Sequence, residues 1–176
     1  VPIIAVEPQT DCKRLLEKLA EEYEGVPTYL EFCALGKGAG IASFYLEETN
    51  SRLVNSSDEL SHSMVQVPVN TLEDITGYYA GIFNILKVDV QGFELDVLDG
   101  AAETLSQFEV IILEVSIIRI GPVPTFYEVI QYMDGKGYRL YDFLPMYYRP
   151  LDNALWQGDA FFVRNDSFLV SSLRWD

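Results

Sequence analysis

The segment "LKVDVQGFELDVLDG", Leu86–Gly100, decides the fold, because it runs from a strand through a tight turn into a helix. Ile82 to Val90 reads as a buried strand, since the apolar residues form a nearly continuous run. Gly92 permits a sharp exit from that strand, and Glu94 opens a helix whose exposed N–H groups favour a negative charge. Leu95, Leu98, Ala102 and Leu105 continue the helix at helical spacing despite Gly100. Val110 to Val115 is the next buried strand. Strand, helix, strand in this rhythm means parallel strands with right-handed crossovers. The fold class is therefore α/β, a doubly wound open sheet with helices on both faces.

The same rhythm extends in both directions. Ile3 to Val6 is an apolar run expected to be buried on both faces and stopped by Glu7-Pro8. Cys12, Leu15, Leu16, Leu19, Ala20 and Tyr23 then fall on one helical stripe, with Thr10 as its cap and Gly25 as its end. Thr28 to Leu35 is a strand. The following "ALGKGAGIASFYL" raises the question of a nucleotide loop, but such a loop needs a helix directly after its glycines. Ile41 to Leu46 is aromatic and β-prone instead, so Gly36, Gly38 and Gly40 are expected to form a hairpin turn. A polar loop spans Thr49 to Ser63, and Val65, Val67 and Val69 alternate as a half-buried strand leading to Leu72 and Ile75. Thr125 and Glu128 make a capping box for a helix with Phe126, Val129, Ile130 and Met133 on its apolar face, stopped by Gly135 and Gly137. Tyr138 to Leu144 and Ala160 to Arg164 have no helix between them and are expected to close one edge as an antiparallel hairpin, with the tyrosines and phenylalanines from Tyr138 to Tyr148 alternating as in a strand and building core.

With 176 residues, 49% of them hydrophobic, the chain suits one domain spanning residues 1–176. The net charge is −15, from 27 acids against 12 bases, and no basic cluster occurs. Phosphate backbones are held by lysine and arginine, so nucleic acid is excluded as a partner and cationic or polyhydroxylated ligands are favoured. Cys12 and Cys33 form no Cys-x-x-Cys pair and lie near no histidine. No metal site is expected, and both thiols suit the core of a protein in a reducing compartment, the cytoplasm. No apolar run is long enough to span a membrane. The first residues carry neither a basic leader nor an initiator methionine, so the chain is expected to begin within a domain.

Three of the strands end in acids: "PIIAVE" at Glu7, "NILKVD" at Asp89 and "VIILE" at Glu114. Ligands of open α/β sheets bind beyond the carboxyl ends of the strands, where all three carboxylates are expected to meet. A carboxylate just after a strand can accept both hydroxyls of a ribose, which suits Glu7. Asp89 and Glu94 can face the same cleft, although Glu94 serves equally well as a helix cap. His62, the only histidine, lies in the polar loop as a solvated residue. Trp156 and Asp159 fit either an acceptor pocket or a turn before the last strand.

At these residues the chain resembles the FkbM-type S-adenosylmethionine-dependent methyltransferases. "IIAVEP", "ALGKGAGIASFYL", "ILKVDVQGFELDVLDGAAETL", "VIILEVS" and "GDAFFVR" occur in that family's order. The family's usual Lys-Ile-Asp-Val-Glu-Gly-x-Glu is here Lys87-Val88-Asp89-Val90-Gln91-Gly92-Phe93-Glu94, with the amide of Gln91 replacing a carboxylate. The resemblance implies a Rossmann-like methyltransferase fold with S-adenosylmethionine as cofactor. It places Glu7 and Pro8 at the ribose, Cys33, Ala34 and Leu35 at the adenine, and Asp89 by the methionyl end and the methyl acceptor. Asp89, Glu94 and Glu114 become the catalytic candidates, and the acceptor is expected to be a hydroxyl of a small metabolite or glycan. In the family a strand and a glycine-rich loop precede "IIAVEP". The domain is therefore expected to be N-terminally incomplete, lacking about 30 residues of strand and helix, and to bind the cofactor weakly by itself. Two other functions fit the same residues. One is a non-catalytic binding module, and the other is an NAD-dependent dehydrogenase, against which the tyrosines lack the Tyr-x-x-x-Lys spacing of a hydride-transfer pair.

Overall fold

The computed structural model describes residues 2–23, 25–45, 52–53, 64–79, 83–101, 103–121, 123–172 and 174. His62 and most of the expected polar loop, together with Ile82 and Ala102, lie outside the described residues. The chain divides into two compact units, Val1–Phe83 with Asp96–Thr104, and Asn84–Leu95 with Leu105–Asp176.

In the first unit β1 (Ile3–Val6) pairs in parallel with β2 (Thr28–Glu31), joined by a 3-10 turn at Thr10–Cys12 and α1 (Lys13–Glu22). Burial of β1 on both faces does not hold: Ile3 is 50% exposed, because among the described residues β2 alone flanks β1. Thr10 does not cap the helix either. It begins the 3-10 turn, and the backbone N–H of Gln9 just before it donates to Glu7 Oε1 at 2.8 Å.

The second sheet of this unit corrects the reading of the three glycines. β3 (Ala34–Leu35), β4 (Gly40–Tyr45), β5 (Arg52–Leu53) and β6 (Met64–Asn70) stand in the order β3-β6-β4-β5. β3 runs parallel and β4 antiparallel to β6, so the glycine segment links two strands on opposite sides of a third and is not a hairpin turn. Gly100 meets this link: a Cβ there would stand 2.2 Å from the Gly36 carbonyl oxygen, a contact only glycine allows. α2 (Leu72–Tyr78) is capped by Thr71, whose hydroxyl accepts the N–H of Asp74 at 3.0 Å.

The second unit holds one sheet in the order β7-β8-β10-β9. β7 (Ile85–Val88) is shorter than the run Ile82 to Val90 and less buried than expected. It is an edge strand, and Ile85 is 65% exposed. α3 (Glu94–Asp99) stops at Gly100, and Leu105 falls in a separate 3-10 turn, so the expected helix is cut at its glycine. β8 (Val110–Ser116) runs parallel to β7. α4 (Phe126–Gly135) carries the expected capping box, and Gly137 just after it has a positive φ of 84°.

β9 (Tyr138–Tyr148) and β10 (Leu155–Arg164) form the expected antiparallel edge hairpin, longer than the sequence suggested. Its aromatics build less of the core than expected. Tyr138 is buried, its hydroxyl hydrogen-bonding the carbonyls of Leu105 and Phe108 at 2.7 and 2.6 Å, whereas Tyr141, Tyr147 and Tyr148 are exposed on the edge strand. The core of the unit is Ile111, Leu113 and Val115 of β8, Ala160 and Phe162 of β10, and Val129 and Met133 of α4.

Candidate functional site

Strand periodicity assembles the site. Register pairs Lys87 with Ile112, Asp159 with Glu114 and Gln157 with Ser116, and paired residues share a face. One face of the sheet is thus the apolar core, while the other carries Lys87, Glu114, Gln157 and Asp159. Asp89 follows directly after β7. Glu114 lies inside β8, two residues before its end at Ser116, rather than at the strand's tip as the sequence suggested.

The turn after β7 is built around one buried carboxylate. Gln91 adopts φ 53° and Gly92 φ 107°, both in the left-handed region. For Gln91 this conformation is unfavourable and needs outside support. Glu94 supplies it: Oε1 accepts the N–H groups of Val90 and Gly92 at 3.2 and 3.0 Å, and Oε2 accepts the same Gly92 N–H at 3.1 Å. Its side chain is only 3% exposed. Burial pushes the Glu94 carboxyl above its ordinary pKa, against the pull of these N–H bonds. Glu94 therefore braces the turn, and its oxygens are committed to the backbone.

The braced turn aims Gln91 at two acids. Its Nε2 donates to Asp89 Oδ1 and to Glu114 Oε2, both at 3.0 Å. Gln157 Nε2, from β10, donates to the same Glu114 Oε2 at 3.2 Å. Lys87 pairs with Asp159 at 3.0 Å and lies 3.8 Å from Asp89. Two carboxylates, Asp89 and Asp159, thus share one ammonium, and the charges of Asp89, Glu94 and Asp159 all act on Glu114. Burial first, then the charges of Asp89 and Glu94, push the Glu114 carboxyl up to about 7. A carboxyl titrating there can exchange a proton at neutral pH.

The other candidates belong to the first unit. Glu7 follows β1, oriented by the Gln9 N–H on its Oε1, and Pro8 comes next. Cys33 and Ala34 are buried and Leu35 is half-buried. Asn70 donates to Cys33 Sγ at 3.6 Å, while burial pushes the thiol's pKa up. Both cysteines are free. Among the described residues no group of three or more His, Cys, Asp and Glu could hold a metal ion, and no helix is long and apolar enough to cross a membrane.

Sequence reasoning identified Asp89, Glu94 and Glu114, and the structure brings these three together. It missed Gln157 and the role of Lys87, and it left Asp159 undecided. The alternation of Gln157 and Asp159 with Gly158 and Ala160 was visible, but which residue of β8 each one opposes is set by cross-strand register, which the sequence of one strand does not carry.

Comparison with known proteins bears on the fold and the family. A search of curated proteins finds no match. The crystal structure of methyltransferase FkbM from Methylobacillus flagellatus KT superposes with a TM-score of 0.58 at 15% sequence identity, over 92% of this chain and 36% of that protein. The chain thus spans about a third of that relative's length (36%) and shares its fold. The profile of the methyltransferase FkbM domain matches residues 1–140, which include both the β1 and β8 acids, and on that match the chain belongs to the FkbM methyltransferase domain family.

Proposed function

We propose that the protein transfers a methyl group from S-adenosylmethionine to a hydroxyl of a small metabolite or glycan, on a Rossmann-like framework, in the cytoplasm. Membership of the family supports methyl transfer. The observation that carries the hydroxyl acceptor is the pair Asp89, just after β7, and Glu114, within the adjacent parallel β8, bridged by one amide, with the Glu114 carboxyl pushed up to about 7.

The cofactor suits these residues. It is a sulfonium cation, and the acids around Lys87 outnumber their one base. The Glu7 carboxylate, turned by Gln9, is chemically suited to ribose hydroxyls. When bound, the cofactor supplies an electrophilic methyl carbon. The chain's own part is alignment and proton acceptance, which together account for much of such a rate. Asp89 orients the methionyl end and the acceptor hydroxyl. Glu114 takes the proton that the hydroxyl gives up, and Glu94 acts only by holding the turn that places Gln91.

Titration calorimetry with adenosylhomocysteine and with nicotinamide dinucleotide, followed by labelled-methyl transfer to a panel of hydroxylated acceptors, tests this function. Adenosylhomocysteine is expected to bind and the dinucleotide not to. Asp89→Asn and Glu114→Gln are each expected to lower kcat by about 100-fold or more. Preference for the dinucleotide would overturn the function, and binding without transfer to any acceptor would reduce the protein to a binding module.

A further inference from the structure

The two amides on Glu114 do something that neither family membership nor the acids themselves explain. Both Gln91 and Gln157 donate to Oε2, at 3.0 and 3.2 Å, from two different elements. A carboxylate oxygen can accept only the NH₂ end of an amide, so the orientation of both side chains is set by chemistry. Among the described residues Oε1 has no hydrogen-bond partner, and Glu114 as a whole is half-buried.

A proton added to this carboxyl cannot settle on Oε2 without displacing one of two N–H donors. We propose that Gln91 and Gln157 are positioning residues that reserve Oε2 of Glu114, so that Oε1 is the single atom through which this carboxyl takes up and releases its proton. The step rests on the methyl-transfer reading only for the source of that proton. As the acceptor oxygen bonds to the methyl carbon, the carbon–sulfur bond breaks with its electron pair passing to sulfur. The hydroxyl proton moves to Glu114 Oε1, and the resulting carboxylic acid later returns it to water.

The charged groups around Glu114 set the background for this exchange. Asp89 and Lys87 come from β7 and its end, Glu94 from α3, and Asp159 lies directly opposite on β10. The carboxylates among them favour the protonated form, and the Gln91 amide favours the ionised form. Removing an amide therefore moves the titration upward.

The test is a carbon-13 NMR titration of the Glu114 carboxyl in the wild-type protein, Gln91→Asn and Gln157→Met. Asparagine tolerates the left-handed backbone at position 91 but is one methylene too short to reach Glu114. Each variant loses one N–H donor to an anion, so the midpoint is expected to rise by about one pH unit in Gln91→Asn and by less in Gln157→Met. The pH profile of kcat/KM is expected to move by the same amount. Circular dichroism checks that each variant folds. An unmoved carboxyl midpoint in both folded variants overturns the reservation of Oε2 while leaving methyl transfer standing. Shifted midpoints in a protein that methylates no acceptor overturn the function and leave the two-amide arrangement intact.

Discussion

β1 and β8 look alike as sequence and differ as structure. "IIAV" and "VIIL" are both unbroken apolar runs followed by glutamate. β8 is flanked by β7 and β10 and keeps Ile111, Leu113 and Val115 at 2% exposure or less, whereas among the described residues β1 is flanked by β2 alone and leaves Ile3 at 50%. An apolar run records how much burial a strand can use, and the number of neighbours decides how much it receives. The contrast reaches the chemistry, because the cover that buries β8 also raises the Glu114 carboxyl.

The contrast makes substitutions in the two strands unequal. Leu113→Ala should cost about 3–5 kcal/mol in urea unfolding, while Ile3→Ala should cost less than about 1 kcal/mol, since half of that side chain is already in water. Equal costs would break the comparison. Next in size is Gly158→Ala in β10, whose added Cβ would stand 2.5 Å from the Leu144 carbonyl and 2.6 Å from the Phe143 ring. It should cost about 1–3 kcal/mol and loosen the strand that carries Gln157 and Asp159, visible as faster amide exchange there.

Glu114→Gln sharpens the comparison through pH. The folded carboxyl titrates at about 7 against an ordinary 4.5, so folding binds the proton more tightly. The stability that Glu114 contributes is full below about pH 4.5 and is lost as pH rises through about 7. Glutamine mimics the protonated form throughout. The variant should therefore equal the wild type in acid and exceed it by about 1–2 kcal/mol near pH 8, after allowance for solvent screening. A small effect is expected at a surface cap remote from either strand's core. Thr125→Ala should lower thermal stability by about 1 kcal/mol, because its hydroxyl satisfies the Glu128 N–H at the start of α4.

Much of the site was legible because strand ends and turn residues carry local signals. Asp89 after an apolar run, Gly92 at the turn and Glu94 at a helix start are properties of a few consecutive residues, and the structure places them together. The capping box at Thr125 and Glu128 was legible for the same reason. The glycine segment from Gly36 to Gly40 was misread because a turn composition fits a hairpin and a link across β6 equally well, and only the position of β6 separates them. The β9 aromatics were misassigned to the core because alternation marks a strand but not whether it lies at an edge.

The sequence by itself determined the α/β class, the strand and helix order around Asp89, the acidic character and the membership these motifs announced, since each follows from local periodicity, turn chemistry or composition. Only the tertiary structure decided that Gln91 and Gln157 converge on one oxygen of Glu114, and that Glu94 serves the backbone instead of a ligand. The physical reason is that cross-strand register, bulges and burial depend on residues far apart in the chain, and hydrogen bonds and pKa shifts are set by those neighbours.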